Sequence, residues 1–191
     1  MMLDDRKWAG LLIFLAAAQF SAFLVVAEAI ASSIPPGYSV SGNYISDLGV
    51  GPAANVFNAS VILLGLLAFG AVYVGRRLFD RVLLILLLLT GIGAVGVGVF
   101  TEDFPGLHTI MSFIAFAFAG LSAIWSYRFV KPPLSYLAIV LGVLGLLALV
   151  LFAAQVYLGL GHGGMERMIV YPILAWAMSF GGYLMAEAPA T

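Results

Sequence analysis

The chain has 191 residues, of which 63% are apolar and only 9% are charged. A soluble domain is about half apolar and a quarter charged, so the composition excludes one and indicates a protein that lies in lipid. Eight basic residues against nine acidic ones leave no basic surface for nucleic acid, and the absence of cysteine excludes disulfides, thiolate nucleophiles and cysteine-bound metals.

Six apolar stretches follow one another along the chain, and each is long enough to cross about 30 Å of hydrocarbon as a helix. Because the stretches are continuous rather than alternating, they predict helices and not the strands of a barrel. The predicted spans are Trp8–Ala31, Val56–Gly75, Val82–Phe100, Thr109–Tyr127, Leu134–Leu158 and Met168–Met185. The sequence therefore predicts an all-α polytopic membrane bundle, with residues 1–191 in a single domain.

Lysine and arginine are distributed unequally between the two ends of these spans. Seven of the eight lie before the first span or in the loops after the second and fourth spans, and Arg167 alone lies on the other side. This bias predicts that both termini are cytoplasmic. The triplet Ala27-Glu28-Ala29 resembles a signal-peptide cleavage site, but the apolar run before it is longer than usual, so the first helix is expected to be retained.

Polar residues concentrate on the predicted outer side. The loop at residues 32–49 is rich in hydroxyl groups and turn formers, and both histidines, His108 and His162, lie on this side. Glu28 lies inside the first span near its outer end, where an acid is costly and usually faces protein or trapped water. These positions predict a polar cavity that opens to the outside.

Three kinds of chemistry fit such a cavity. The first is a zinc site in which His108, His162 and Glu102 supply ligands and water takes the open position. The second is acid–base or nucleophilic chemistry without a metal, carried out by Glu28, Asp47 and Ser46. The third is a haem between the two histidines, which is less favoured because both lie near the membrane edge.

A further group of polar side chains is expected to bind the ligand itself, with Arg167 holding a phosphate or carboxylate. The expected ligand-binding residues are Asn43, Asn55, Asn58, Glu166, Arg167 and Tyr171. A plainer interpretation stands beside this one: Asp47 and Asn55 could cap helices, and Glu28 could form a structural ion pair with Arg167.

The run Gly91-Ile92-Gly93-Ala94-Val95-Gly96 fits the dinucleotide-binding pattern GxGxxG, but it lies inside an apolar span and not between a strand and a helix. We expect its glycines to let helices approach closely instead. Gly-rich helices of this kind also predict contacts through which a homo-oligomer can form.

The run from Tyr38 to Gly49, followed by Asn55 and Phe57-Asn58, resembles a prokaryotic family of six-helix membrane proteins known as domain of unknown function 998. The same likeness extends to Phe100-Thr101-Glu102, His108-Thr109, and Glu166-Arg167 ahead of Tyr171-Pro172. The resemblance implies the six-span topology, a prokaryotic cell membrane and a role for the outer polar residues, but it supplies no activity.

A remoter resemblance begins at Ile45-Ser46-Asp47 with Gly49, which is similar to a loop of the Frag1/DRAM/Sfk1 membrane proteins, some of which are linked to lipid remodelling. More loosely, the loop is similar to one in seven-helix ceramidase-like hydrolases, which set three histidines around zinc. This chain has only two histidines, so that metal set cannot be carried over.

The leading interpretation is an integral membrane protein whose outer site binds a lipid head group or small molecule, with membrane lipids as partners and metal-assisted hydrolysis as a candidate reaction. A transporter or ion-binding protein is the alternative, and it needs polar groups that continue to the cytoplasmic side. The inner halves of the spans are apolar, which counts against transport. A structural or partner-binding module is a third interpretation.

Overall fold

The computed structural model describes residues 4–186, which form six long α-helices and two short 3-10 helices, with no β-strand in that range. The long helices are α1 (Asp5–Ser33), α2 (Ala54–Gly75), α3 (Arg81–Val99), α4 (Pro105–Trp125), α5 (Leu134–Ala153) and α6 (Gly161–Ala186). All six are long and apolar enough to cross a membrane, which confirms the predicted fold. The orientation of the termini stays a prediction.

The helices form a closed ring, because each packs against its neighbours in sequence and α1 packs against α6. Gly10 near the start of α1 lies against Gly181 near the end of α6, so the two ends of the described chain are at the same end of the bundle. We call this the inner end, after the predicted orientation, and the opposite end the outer end. Large apolar side chains such as Val25, Ile85 and Val150 remain exposed, as a lipid-covered surface requires.

Glycines lie where neighbouring helices pack tightly against each other. A Cβ atom on Gly65 of α2 would lie 2.6 Å from the carbonyl oxygen of Gly91 on α3, and one on Gly93 would collide with the backbone of Ala115 on α4. The GxGxxG run therefore serves helix packing, as the sequence predicts. These contacts lie within one chain, and a homo-oligomer stays a prediction.

The helix boundaries differ most from expectation at the outer end. α5 ends at Ala153 and not at Leu158, because the chain turns through positive φ angles of 58° at Gln155 and 50° at Leu158. α6 begins at Gly161, well before the predicted Met168, so that its first turns carry the charged pair Glu166 and Arg167. The hydropathy of the sequence does not predict this start of α6, because charged residues disfavour a membrane span unless the fold compensates their charge.

Candidate functional site

The Arg167 guanidinium is the centre of the outer polar residues, and the side chain is buried. Its Nε and Nη2 atoms donate to Oε1 of Glu28 at 3.2 and 2.5 Å, and Nη2 also donates to the Tyr38 hydroxyl at 2.6 Å. Its Nη1 atom donates to the carbonyl oxygens of Val40 and Gly163 at 2.8 and 2.9 Å. These bonds use all five N–H groups of a guanidinium. No donor remains for the phosphate or carboxylate that the sequence predicts Arg167 to hold.

The bonds of Arg167 fix the long loop between α1 and α2 across the outer end of the bundle. The Tyr38 hydroxyl that accepts from Arg167 donates in turn to the carbonyl oxygen of Tyr44 at 2.8 Å. Burial raises the pKa of Tyr38 to about 12, with the hydrogen bond from Arg167 acting in the opposite direction. The amide of Gly163 donates to the carbonyl oxygen of Ser41 at 3.1 Å, so the loop also binds the first turn of α6. Glu28 and Arg167 thus form the structural ion pair of the plainer interpretation.

Glu166 attaches the same loop at a second point. Its side chain is buried, and Oε2 accepts a hydrogen bond of 2.5 Å from the backbone amide of Ile45. Adjacent residues of α6 therefore engage two different parts of the loop, Arg167 at residues 38–40 and Glu166 at residue 45. The sequence places Glu166 in the site as a ligand-binding residue; in the structure it holds backbone.

Ser46, Asp47 and Glu102 form a polar group beside this attachment. The Ser46 hydroxyl donates to Oε1 of Glu102 at 2.5 Å, while Oδ2 of Asp47 accepts from the Asn43 amide group and the Tyr44 backbone amide, both at 2.9 Å. Burial raises the pKa of Glu102; the Ser46 hydroxyl lowers it, and the adjacent Asp47 carboxylate raises it again. Burial and the nearby Asp47 carboxylate thus both disfavour the charged form of Glu102.

The two histidines are engaged by the chain itself. His108, which is buried on the first turn of α4, lies 2.7 Å through Nδ1 from the Phe100 carbonyl oxygen and 3.3 Å through Nε2 from the Ser112 hydroxyl. Because a carbonyl oxygen only accepts, Nδ1 carries a hydrogen and donates it to Phe100. The His162 ring packs against the rings of Tyr44 and Tyr157, with centroids 4.4 and 6.1 Å away.

Within residues 4–186, no group of three or more histidine, cysteine or acidic side chains is placed to hold a metal ion. His108, His162 and Glu102 therefore do not come together as the predicted zinc ligands. Both ring nitrogens of His108 already have partners, which also leaves none for the iron of the predicted haem.

The remaining predicted residues divide into two kinds. Asn58 supports the loop, because its amide group donates to the carbonyl oxygen of Gly49 at 2.8 Å at the end of the 3-10 helix Ser46–Gly49. Asn55 on α2 and Tyr171 on α6 are exposed side chains. They therefore face away from the interior of the bundle and do not join the buried polar groups.

An apolar cavity of about 140 Å³ begins beneath the polar residues. Ile45, Ser46 and Glu166 line it at the outer end, and side chains from every long helix except α5 line the rest. On α6 it extends from Glu166 to Ala177, which corresponds to about 16 Å along the helix. The outer polar groups thus bond to one another and the space below them is apolar, while a polar cavity that opens to the outside stays a prediction.

The cavity is the feature that sequence reasoning missed. Its walls are Ala, Val, Leu, Ile and Phe residues with a few polar neighbours such as Thr90 and Ser112. An apolar residue in a membrane helix has the same sequence signature whether it faces lipid, another helix or empty space. Only the absence of contact atoms distinguishes the cavity, and no residue type encodes that.

Comparisons with known proteins identify the family of this chain. Neither the curated proteins nor the solved structures match the chain, so the remoter resemblances to Frag1/DRAM/Sfk1 and ceramidase-like proteins stay without support. The family described as protein of unknown function (DUF998) matches residues 14–182, a range that begins within α1 and ends within α6. Because this match covers most of the chain and reaches all six helices, the protein belongs to the DUF998 family.

Proposed function

We propose that this protein binds an amphipathic, lipid-like molecule taken from the membrane. A slim apolar group of the ligand would fill the cavity, and an uncharged polar group would lie beside Ser46 and Glu166. The observation that supports this proposal is the composition of the cavity wall: Ser46 and Glu166 line its outer end, and the rest is apolar apart from Thr90 and Ser112. A cavity near 150 Å³ holds benzene, so about 140 Å³ suits a hydrocarbon segment of about six carbons.

The charge of the outer end favours a neutral ligand. Glu166 and Ser46 line the cavity wall. The carboxyl group of Glu102 accepts a hydrogen bond from Ser46 and lies next to Asp47. The nearby cation, Arg167, donates its N–H groups to oxygen atoms of the protein itself. A hydroxyl or amide group can bond to carboxyl and serine oxygens, whereas a phosphate would meet acidic groups without a compensating cation.

The inner end of the cavity supports binding over transport. Ile13, Leu87 and Trp176 line this part, so the wall offers no polar group with which to pass a hydrated substrate onward. A transporter needs a second polar exit on the cytoplasmic side. Metal-assisted hydrolysis is not part of the proposal, because the predicted ligands have other partners.

Photolabelling tests the proposal. The probe is a monoacylglycerol with a diazirine in its acyl chain, added to the purified protein in proteoliposomes. We expect labelled peptides from the cavity wall, and we expect Ala68→Phe, which fills the wall of α2, to reduce that labelling by about tenfold. Ala59→Phe is the matched control, because it makes the same change on an exposed position of the same helix.

Two results contradict the proposal. One is labelling of the cavity wall that is equal in the wild-type protein and in Ala68→Phe. The other is labelling confined to exposed helix faces, which would show that the probe reaches the protein only as bulk lipid. A sulfated version of the same probe should label the cavity more weakly than the neutral one, since its head group is anionic.

A further inference from the structure

We propose that Ser112 is a nucleophile that accepts the acyl group of an uncharged ester lipid bound in the apolar cavity. This inference rests on the function proposed above, because the ester must first occupy the cavity, and it adds a reaction to the binding site. The reacting pair is Ser112 and His108, which lie one helical turn apart on α4. A nucleophile, a base within hydrogen-bond reach and a third group that orients the base are the usual signature of covalent catalysis.

Ser112 belongs to a stripe of α4 residues that lines the cavity. The stripe also contains Ala115, Phe116 and Ala119, which follow Ser112 at the spacing of one helix face. Ser112 is the outermost of the four and lies about 10 Å along the helix from the start of α4. This position suits an ester, in which a polar carbonyl group is followed by a hydrocarbon chain.

The Ser112 hydroxyl differs from those of Thr90 and Ser46, which also line the cavity. Thr90 donates to a carbonyl oxygen of its own helix at 2.9 Å, and Ser46 donates to Glu102. The Ser112 hydroxyl instead lies 3.3 Å from Nε2 of His108. A backbone carbonyl is too weak a base to take a proton from serine, whereas a neutral imidazole is the commonest general base in enzymes. Among these three hydroxyls, the geometry therefore singles out Ser112.

A backbone carbonyl group orients the His108 ring. Phe100 follows the last residue of α3, where the carbonyl groups of a helix end have no partner in the helix. Its oxygen lies 2.7 Å from Nδ1 of His108, which donates the hydrogen of this bond. In the neutral ring Nε2 then carries a lone pair, and Nε2 is the nitrogen that faces Ser112. The carbonyl oxygen thus takes the orienting role that a carboxylate has in a serine–histidine–aspartate triad.

The reaction is an acyl transfer without any change of oxidation state. Ser112 Oγ attacks the ester carbonyl carbon while Nε2 of His108 takes the hydroxyl proton. The bond from carbon to Oγ forms, the bond from carbon to the alcohol oxygen breaks, and the alcohol oxygen receives the proton from His108. The products are an acylated Ser112 and a free alcohol. Water then attacks the acylated serine by the same route and releases a carboxylic acid.

The surroundings of Ser112 favour an uncharged ester with a short acyl chain. The outer end of the cavity, at Ser46 and Glu166, can bond to hydroxyl groups of the alcohol part. The apolar space of about 140 Å³ suits an acyl chain of about six carbons. Esters of glycerol with a short fatty acid are the simplest molecules with this pattern.

Turnover of p-nitrophenyl hexanoate tests the inference, because this ester is uncharged, its acyl chain fits the cavity and released p-nitrophenol is measured by absorbance. The ester is added to the purified protein in proteoliposomes. We expect release to fall by about 100-fold in Ser112→Ala and in His108→Gln, and we expect an acid-quenched sample to carry hexanoyl on Ser112. Thr109→Ala is the matched control on α4, because its exposed hydroxyl donates to a backbone carbonyl, and it should react like the wild type.

Equal release from the wild type and Ser112→Ala overturns the inference. Equal release from the wild type and His108→Gln also overturns it, since the histidine then does not act as a base. Hexanoyl found on other residues and not on Ser112 has the same meaning. If His108→Gln does not fold, Ser112→Ala decides alone, because it removes a single oxygen atom.

The diazirine-bearing monoacylglycerol distinguishes failure of the reaction from failure of the proposed function. Labelling of the cavity wall in both the wild type and Ser112→Ala, without Ser112-dependent release, shows that the cavity binds lipid and that the acyl transfer is wrong. Absence of both labelling and release shows that the cavity takes no lipid, and both proposals then fail.

Discussion

Arg167 shows how a buried cation becomes tolerable near the edge of a membrane. One carboxylate neutralises its charge, and a phenol and two carbonyl oxygens accept its remaining N–H groups. Each acceptor would itself be costly to bury without a donor. The ion pair and the loop backbone therefore stabilise each other, and the loss of either leaves the other without compensation.

Replacing Arg167 by lysine separates charge from geometry. Lysine keeps the attraction to Glu28 but has three donors in place of five, so some oxygens at Tyr38, Val40 or Gly163 would lose their partner. We expect Arg167→Lys to lower the free energy of unfolding in detergent by about 2 kcal/mol. The exposed Arg76→Lys is the control, and equal unfolding midpoints for the two variants would contradict the anchoring role.

Glu102 should make stability depend on pH. Its folded-state pKa is raised above the ordinary value of 4.5, chiefly by burial. A carboxyl shifted in this direction contributes its full stability below the ordinary value, and the contribution disappears as the pH rises through the raised pKa. Glu102→Gln mimics the neutral form, so we expect its stability to exceed that of the wild type by more at pH 8 than at pH 5.

Thermal unfolding at both pH values measures this difference. Asp103→Asn removes an exposed carboxyl from the next position and should show no such trend. A gap between Glu102→Gln and the wild type that stays constant from pH 5 to pH 8 would contradict the assignment.

At the scale of single elements, the fold depends on close contact between α6 and the loop that joins α1 to α2. Gly163 has no room for a side chain, because a Cβ atom there would collide with the carbonyl oxygen of Asn43. The amide of the same residue bonds to Ser41. Glycine at this position therefore lets the helix start against backbone and not against side chains.

A pair of alanine substitutions tests this contact. Gly163→Ala should destabilise the protein by about 2 kcal/mol or more, since the loop must move to admit a methyl group. Gly182→Ala lies on the same helix, where an added methyl group would meet no atom within 4 Å, and helix propensity predicts no loss or a small gain. Unfolding midpoints and protease cleavage of the loop report the effect, and equal results for both variants would refute the contact.

The sequence predicts the helices well and the outer end poorly, for a physical reason. Continuous apolar runs are required by the bilayer, so α2 and α3 begin and end within two residues of their predicted bounds. The start of α6 depends on whether Glu166 and Arg167 find partners more than 100 residues away, which no local pattern reveals. The pairing of Glu28 with Arg167 can be predicted from the sequence as an alternative, because Glu28 is an acid inside an apolar span and Arg167 is the one basic residue on the predicted outer side.

For the whole molecule, the ring of six helices places both ends of the described chain at one end of the bundle. The orientation predicted from the arginine and lysine bias can be measured directly, because the protein has no cysteine of its own. Single cysteines at two exposed positions, Asp103→Cys and Arg77→Cys, mark the outer and inner ends.

A membrane-impermeant maleimide applied to intact cells should label Asp103→Cys and leave Arg77→Cys unlabelled until the membrane is permeabilised. This outcome would place both termini in the cytoplasm. The reverse labelling pattern would invert the topology.

The anchored loop bears on the route by which a ligand of the proposed kind would reach the interior. Ile45 and Ser46 line the outer end of the cavity, and Glu166 holds this part of the backbone through the Ile45 amide. Entry from the external solution is expected to require movement of this loop, whereas entry between helices from the surrounding hydrocarbon is not. Because the route changes rates and not equilibrium occupancy, we expect faster loading from the bilayer than from water, with the same final occupancy.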